Sequence, residues 1–369
     1  AGAGVALLEA AAEAWRDHCE AMRRLSLMFA HLDRTHMLKH GVLAAGAADA
    51  LKTLDECGLH LFRESFVALP EVKGIVLLGV LFLIDEARKE EAFAASAGRS
   101  LVATLVAMFS ALGLYATVFE PAFLKRSVSF YNSESEQVLQ RLSLAEYLLH
   151  CDARLEGERV RCAECLQASS VPALLAKVRG ELVKAHAVRL LDSGLAGLVE
   201  GHRFEDLARL YRLLEEVGEL PALRKAWGDI IKRAGSKILS AGDAPEESKG
   251  VMPALMELRS KMMAILTEPF RNSSEFALSL KDSFEAFLNA GSQNVPAKLL
   301  ARHVDELLKN ERVGSNDAEL EQAIEHVMGI FRYLAAKDAF EAFFKKDLAK
   351  RALQQQRAVG GGGGGGGGG

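Results

Sequence analysis

Apolar residues in this chain recur every three to four positions almost from end to end, a period that admits little besides α-helices. Leu7, Leu8, Ala11, Trp15, Met22, Leu25, Met28, Phe29 and Leu32 set the pattern near the start. Long runs of alternating β-branched residues are missing, and only eight prolines punctuate 369 residues. Strong helix formers (Ala, Leu, Glu, Lys, Arg) dominate the rest. The chain therefore reads as all-α, with no support for a β or parallel-sheet fold.

Periodicity and Gly, Pro, Ser and Asn clusters divide it into helices near 6–40, 47–69, 73–92, 99–113, 117–140, 143–168 and 172–199, followed by 203–217, 222–240, 247–267, 274–290, 296–310, 317–335 and 337–357. The second ends before Pro70. Pro121, Pro172 and Pro221 fall in first turns, where the missing N–H costs nothing because the first four donors of a helix lack intrahelical partners. Asn316 followed by Glu319 is a capping signal and marks a boundary. No crisp repeat of fixed period emerges, which leaves a globular bundle or a helical solenoid.

The formal net charge of −4, with both signs mixed throughout, lacks the basic surplus of a nucleic-acid binder. Five cysteines in a chain this long, with no signal peptide ahead of them, fit free thiols in a reducing compartment. The most apolar run, Ile75 to Ile84, is half the length needed to cross a bilayer and reads as a buried core helix.

Phosphate-loop, Gly-x-Ser-x-Gly and His-Glu-x-x-His motifs are absent. Cys162 and Cys165, with His150 and Cys151 upstream, have zinc-like spacing, but the stretch also reads as one amphipathic helix in which Cys is a small apolar residue. His31, His36 and His40 do not share a helix face. Lys345, Lys346, Lys350 and Arg351 alternate with Glu341 and Asp347 as on a solvated face, and the aromatics at 119, 123, 130, 131, 340, 343 and 344 have core spacing. No metal, no cofactor and no catalytic constellation is expected, and the residues describe a helical scaffold or interaction protein. A rod-like subunit of a membrane-trafficking tether fits the same composition.

Four ordered blocks are more specific. Residues 337–353, KDAFEAFFKKDLAKRAL, resemble the opening of the C-terminal domain of cullins, the ubiquitin-ligase scaffolds, and look most like the type-four members. Trp15-Arg16-Asp17-His18-Cys19 with Leu32-Asp33-Arg34-Thr35 is similar to the long first-repeat helix of that class. Gly58-Leu59-His60-Leu61-Phe62-Arg63 resembles its following helix, and Leu299 to Asp305 the end of its third repeat.

The resemblance implies an elongated helical solenoid of five-helix cullin repeats: a partial first repeat over 1–70, a second over 71–190, a third over 191–312, the start of the C-terminal helical bundle over 313–353, and a Gly-rich tail over 354–369. It implies a non-catalytic scaffold, nuclear and cytoplasmic, working in ubiquitin-dependent protein catabolism. Such a stalk spaces a propeller-type adaptor from a RING-finger protein, the latter for the full-length parent only, with no direct nucleic-acid or membrane partner. The fifth helix of the first repeat maps to 47–69, where Leu51, Asp55, Gly58, Leu59 and Phe62 are the expected adaptor-contact face. Asp55 stands where related cullins carry an aromatic, the residue type that dominates interface energies. The second helix of that repeat, the RING-binding part and the acceptor lysine for the ubiquitin-like modifier have no counterpart in the chain, which therefore reads as truncated at both ends.

Overall fold

A computed structural model describes residues 2–40, 53–89, 97–241, 248–291, 294–310 and 317–360, and among them there is no strand. The first eight helices are α1 (Gly2–Met28), α2 (Ala30–His40), α3 (Leu54–Ala68), α4 (Pro70–Lys89), α5 (Ala97–Ala111), α6 (Glu120–Val138), α7 (Leu144–Cys165) and α8 (Val171–Leu182). Then follow α9 (Ala187–Glu200), α10 (Phe204–Val217), α11 (Leu220–Ala241), α12 (Ser248–Thr267), α13 (Ser274–Leu288), α14 (Asn294–Asn310), α15 (Asp317–Phe331) and α16 (Lys337–Gly360).

The structure departs from the periodicity at three places. The helix expected over 6–40 is divided at Phe29, although backbone bonds from Phe29 to Leu25 and from Asp33 to Phe29 carry the ladder across. The helix expected over 172–199 breaks into α8 and α9 around a 3₁₀ turn, Lys184–His186. No Gly or Pro marks that break. It is made by burial of Leu182, Val183 and His186, a tertiary choice that outweighs the helical pattern. A π-helical turn, Tyr115–Phe119, precedes α6 and brings Tyr115 and Phe119 into the core. Pro121, Pro172 and Pro221 do lie in first turns. Asn316, the expected cap of α15, lies outside the described residues.

The chain forms two compact units: residues 1–142 with 149–185, and 143–148 with 186–369. The first is centred on an aromatic row from α3, α5, the π-helical turn and α6, in which Phe66, Phe109, Phe119 and Phe123 follow one another at centroid distances of 6.0, 5.7 and 5.8 Å. Leu8, Ala12 and Trp15 of α1 and Val76, Val80, Leu83 and Ile84 of α4 complete one side of this core. The apolar run of α4 is not wholly internal, because Ile75, Leu78 and Phe82 are exposed.

Behind the aromatic row the same unit buries a charged cluster. The Arg88 side chain is 1% exposed and donates from Nε and Nη2 to the two oxygens of Glu158 at 2.9 and 3.1 Å, from Nη1 to Asp85 at 3.0 Å and from Nη2 to Ser127 at 2.7 Å. Tyr131 donates to Glu158 at 2.6 Å, and Arg161 donates to the same carboxylate. The guanidinium also lies 5.2–5.6 Å from the ring centroids of Phe123, Phe130 and Tyr131. Burial alone would raise the Glu158 pKa, but Arg88, Arg161 and the Tyr131 hydroxyl overcome it and hold the carboxyl below its ordinary range.

In the second unit, Trp227 of α11 sits among Tyr211, Phe270 and Phe276 with centroids 4.7–5.7 Å apart around the group. Trp227 is fully buried. Asn289, just past α13, donates to the Tyr333 carbonyl at 3.0 Å and accepts from Ala335 N–H at 2.9 Å, which fastens the turn between α15 and α16. On α14, Asp305 holds Lys309 on its own helix and Arg351 of α16 at 3.3 Å. Phe340 lies 5.0 Å from Phe331 and stacks on Phe344, so part of the aromatic spacing in 331–353 is inter-helix packing.

Two outcomes test these contacts. A Cβ on Gly235 would stand 2.4 Å from the Phe287 ring, so Gly235→Ala is expected to destabilise the second unit by about 1–3 kcal/mol in urea unfolding. Because Glu158 has a depressed pKa in the folded state, its contribution is complete above the unfolded value of 4.5 and is lost as pH falls through the lower folded value. Thermal melting followed downward from pH 7 should show that loss in the wild type and a shallower acid dependence in Glu158→Gln.

Candidate adaptor-contact surface

The capping residue Thr53 starts α3 with a reciprocal pair of bonds: its hydroxyl accepts from Glu56 N–H at 3.2 Å, and the Glu56 carboxylate accepts from Thr53 N–H at 2.8 Å. The Thr-x-x-Glu spacing is a capping signal legible in the sequence, within the helix expected over 47–69. Asp33 of α2 accepts from Leu54 N–H at 3.1 Å and so ties the first turn of α3 to the preceding helix.

The five expected contact residues do not form one outward face. Leu51 lies outside the described residues. Gly58 is buried beneath Met22 of α1, whose side chain occupies the space a Cβ would take, 2.5 Å away. Phe62 packs edge-on against Trp15 at 5.3 Å and against His18 at 4.7 Å. These two residues join α3 to α1, the physical reason being that the small Gly58 permits close approach and the ring at 62 fills the next turn. The face centred on Gly58 and Phe62 is thus turned inward.

Asp55 and Leu59 are reachable from outside. With His18, Cys19, Met22, Arg23, Ser26 and Leu27 they line a groove of about 390 Å³ between α1 and α3. Asp55 accepts a short 2.5 Å bond from the Ser26 hydroxyl. Burial lowers the pKa of His18 and raises that of the Cys19 thiol, so both favour their neutral forms, and the groove presents neutral, largely apolar walls with Asp55 and Arg23 at its rim.

The remaining candidates are dispersed. Cys151 and Cys162 are core residues, the Cys162 thiol pushed up to about 11 by burial, and Cys165 points at the Arg99 carbonyl. His150 faces Glu134 at 3.7 Å. Among the described residues no three His, Cys, Asp or Glu side chains converge as a metal site would require. His31 is exposed, and the side chains of His36 and His40 are outside the described set. Lys345 pairs with Glu341 at 2.6 Å and Lys350 approaches Asp347 at 3.8 Å on a solvated, self-paired side of α16, whereas Arg351, expected on the same face, turns inward to Asp305 of α14. No single helix among the described residues is long and apolar enough to cross a membrane.

Comparison with known proteins covers nearly the whole chain. Residues 2–359 match the model of the cullin alpha solenoid domain. Cullin-4A of Homo sapiens is 35% identical over 340 residues, 92% of this chain and 43% of that protein. Cullin-4 of Dictyostelium discoideum is 31% identical over 92% of the chain and 40% of its own length, and Cullin-3A of Arabidopsis thaliana 28% identical over 96% and 47%. The chain spans less than half the length of these relatives. With its helical architecture, its α solenoid match and its identity to Cullin-4A, the chain belongs to the cullin family.

Proposed function

We propose that the chain is the stalk portion of a scaffold subunit of a cullin-RING ubiquitin ligase. The observation that carries this reading is the match to the cullin solenoid over residues 2–359. A scaffold of this kind contributes rate by holding reactants near one another rather than by its own chemistry. The tethering-rod reading has no comparable support.

In finer detail, the reading assigns 1–70 to a partial first repeat, 71–190 and 191–312 to two further repeats, and 313–353 to the opening of the C-terminal bundle. A propeller-type adaptor engages the first of these, and the longer parent protein carries the RING-finger partner, in the nucleus and cytoplasm, for ubiquitin-dependent protein catabolism. Asp55 and Leu59 are the candidates on α3 that an adaptor can reach, with the groove beside α1 as the contact surface. Gly58 and Phe62 support that surface from beneath by fixing the α1–α3 approach.

Binding of a purified propeller adaptor to this chain and to the longer gene product, followed by size-exclusion chromatography and biolayer interferometry, tests the proposal. Leu59→Glu places a charge in the apolar groove and is expected to weaken binding about tenfold or more, with the melting temperature unchanged. Failure of both proteins to bind any propeller adaptor would overturn the adaptor reading, and absence of a RING-finger subunit from the purified parent complex would overturn the ligase reading.

A further inference from the structure

The ten-residue apolar run of α4, Ile75 to Ile84, leaves the helix with a problem that burial of apolar area alone does not solve. Val76, Val80, Leu81, Leu83 and Ile84 are buried, while Ile75, Leu78 and Phe82 are 47–66% exposed. A helix that is apolar on every side would bury comparable area after a rotation of one residue or a slide of one turn, because hydrophobic burial has no direction. Shape restricts the middle of the helix, where Leu8 of α1 fills the place a Cβ on Gly79 would take, and the end of the helix carries a second, directional selector.

The last turn of α4 contains the directional groups. Asp85 and Arg88 lie on the buried side, and the planar fork of Arg88 meets Glu158 of α7 with two bonds, Asp85 with one and Ser127 of α6 with one. From α7, Arg154 donates to the Arg88 carbonyl at 2.8 Å and Arg161 to the Ala87 carbonyl at 3.4 Å, so the open carbonyls at the end of α4 are capped by a neighbouring helix. Arg126 of α6 holds the second oxygen of Asp85 at 2.6 Å. A one-residue rotation would carry Arg88 away from all of these partners, and a one-turn slide would take from Glu158 its bidentate partner and leave it Tyr131 and Arg161 alone.

We propose that this buried cluster is a register lock: it selects one rotation and one axial position of α4 against α6 and α7, and it supplies specificity rather than net stability. Buried ion pairs are often replaceable by apolar residues without loss of stability, whereas removing one partner leaves a buried charge uncompensated. That asymmetry separates a lock from a simple stabilising contact.

The test compares three variants of the full chain by thermal melting and by hydrogen exchange of the α4 and α7 amides. Arg88→Met alone should lower the melting temperature by roughly 10 °C, since Glu158 and Asp85 stay buried without it. The combination Asp85→Leu, Arg88→Met, Tyr131→Phe and Glu158→Leu should melt within a few degrees of wild type, yet exchange about tenfold faster or more in α4 and α7. Arg161 and Arg126, which keep some exposure, can turn to water in that variant. Arg88→Lys, which keeps the charge but not the fork, should fold normally and exchange at an intermediate rate. Wild-type exchange in the combined variant or in Arg88→Lys would overturn the proposal. So would a combined variant that melts as low as Arg88→Met, because the cluster would then be a net stabiliser.

Discussion

A guanidinium that is 1% exposed can persist only where every donor and its charge find a partner, and Arg88 sets this condition for three helices of the first unit at once. Glu158 on α7 neutralises it, Ser127 and the ring faces of Phe123, Phe130 and Tyr131 on α6 enclose it, and Asp85 on its own helix shares it with Arg126. The aromatic row from Phe66 to Phe123 belongs to the same unit and, with the buried aliphatic residues of α1, α4, α5 and α8, makes its apolar core. The two parts do different work. Rings and aliphatic chains drive association without prescribing a register, and the ion pair prescribes a register while returning little net free energy.

The second unit reaches a defined packing by other means. Its centre is the enclosed indole of Trp227 with Tyr211, Phe270 and Phe276, a group whose edge and tilted contacts restrict one another. Close approach of α11 to α13 depends on Gly235, where the Phe287 ring takes the place of a side chain. Asn289 and Asp305 then fix the later helices through the carbonyl of Tyr333, the amide of Ala335 and the guanidinium of Arg351. The lysine-rich block beyond 337 is joined to this unit through the aromatic side of α16 and through Arg351, while Lys345 and Lys350 pair locally and face water.

In the scaffold role proposed above, these packing devices would bear directly on function, since a scaffold transmits position only as well as its helices hold register. The groove beside α3 rests on the same logic. Thr53, Glu56 and Asp33 fix where α3 begins, Gly58 and Phe62 fix how near it lies to α1, and Asp55 and Leu59 are left at the surface as a result.

What the sequence by itself determined was the helical class, the positions of most helices and the family. The 3.6-residue period is a local property, proline and capping chemistry act within a turn, and the blocks at 15–19, 32–35, 58–63 and 337–353 are contiguous in the chain. The break at Val183, the π turn at Tyr115, the exposed side of α4 and the inward turn of Gly58 and Phe62 were decided only by the tertiary structure. Each depends on a partner distant in sequence, and periodicity reports that a residue lies on an apolar face without reporting which neighbour covers it. The Arg88 cluster is the clearest case: one of several charges at the end of an apolar helix becomes the organising group of its unit through Glu158, seventy positions away along the chain.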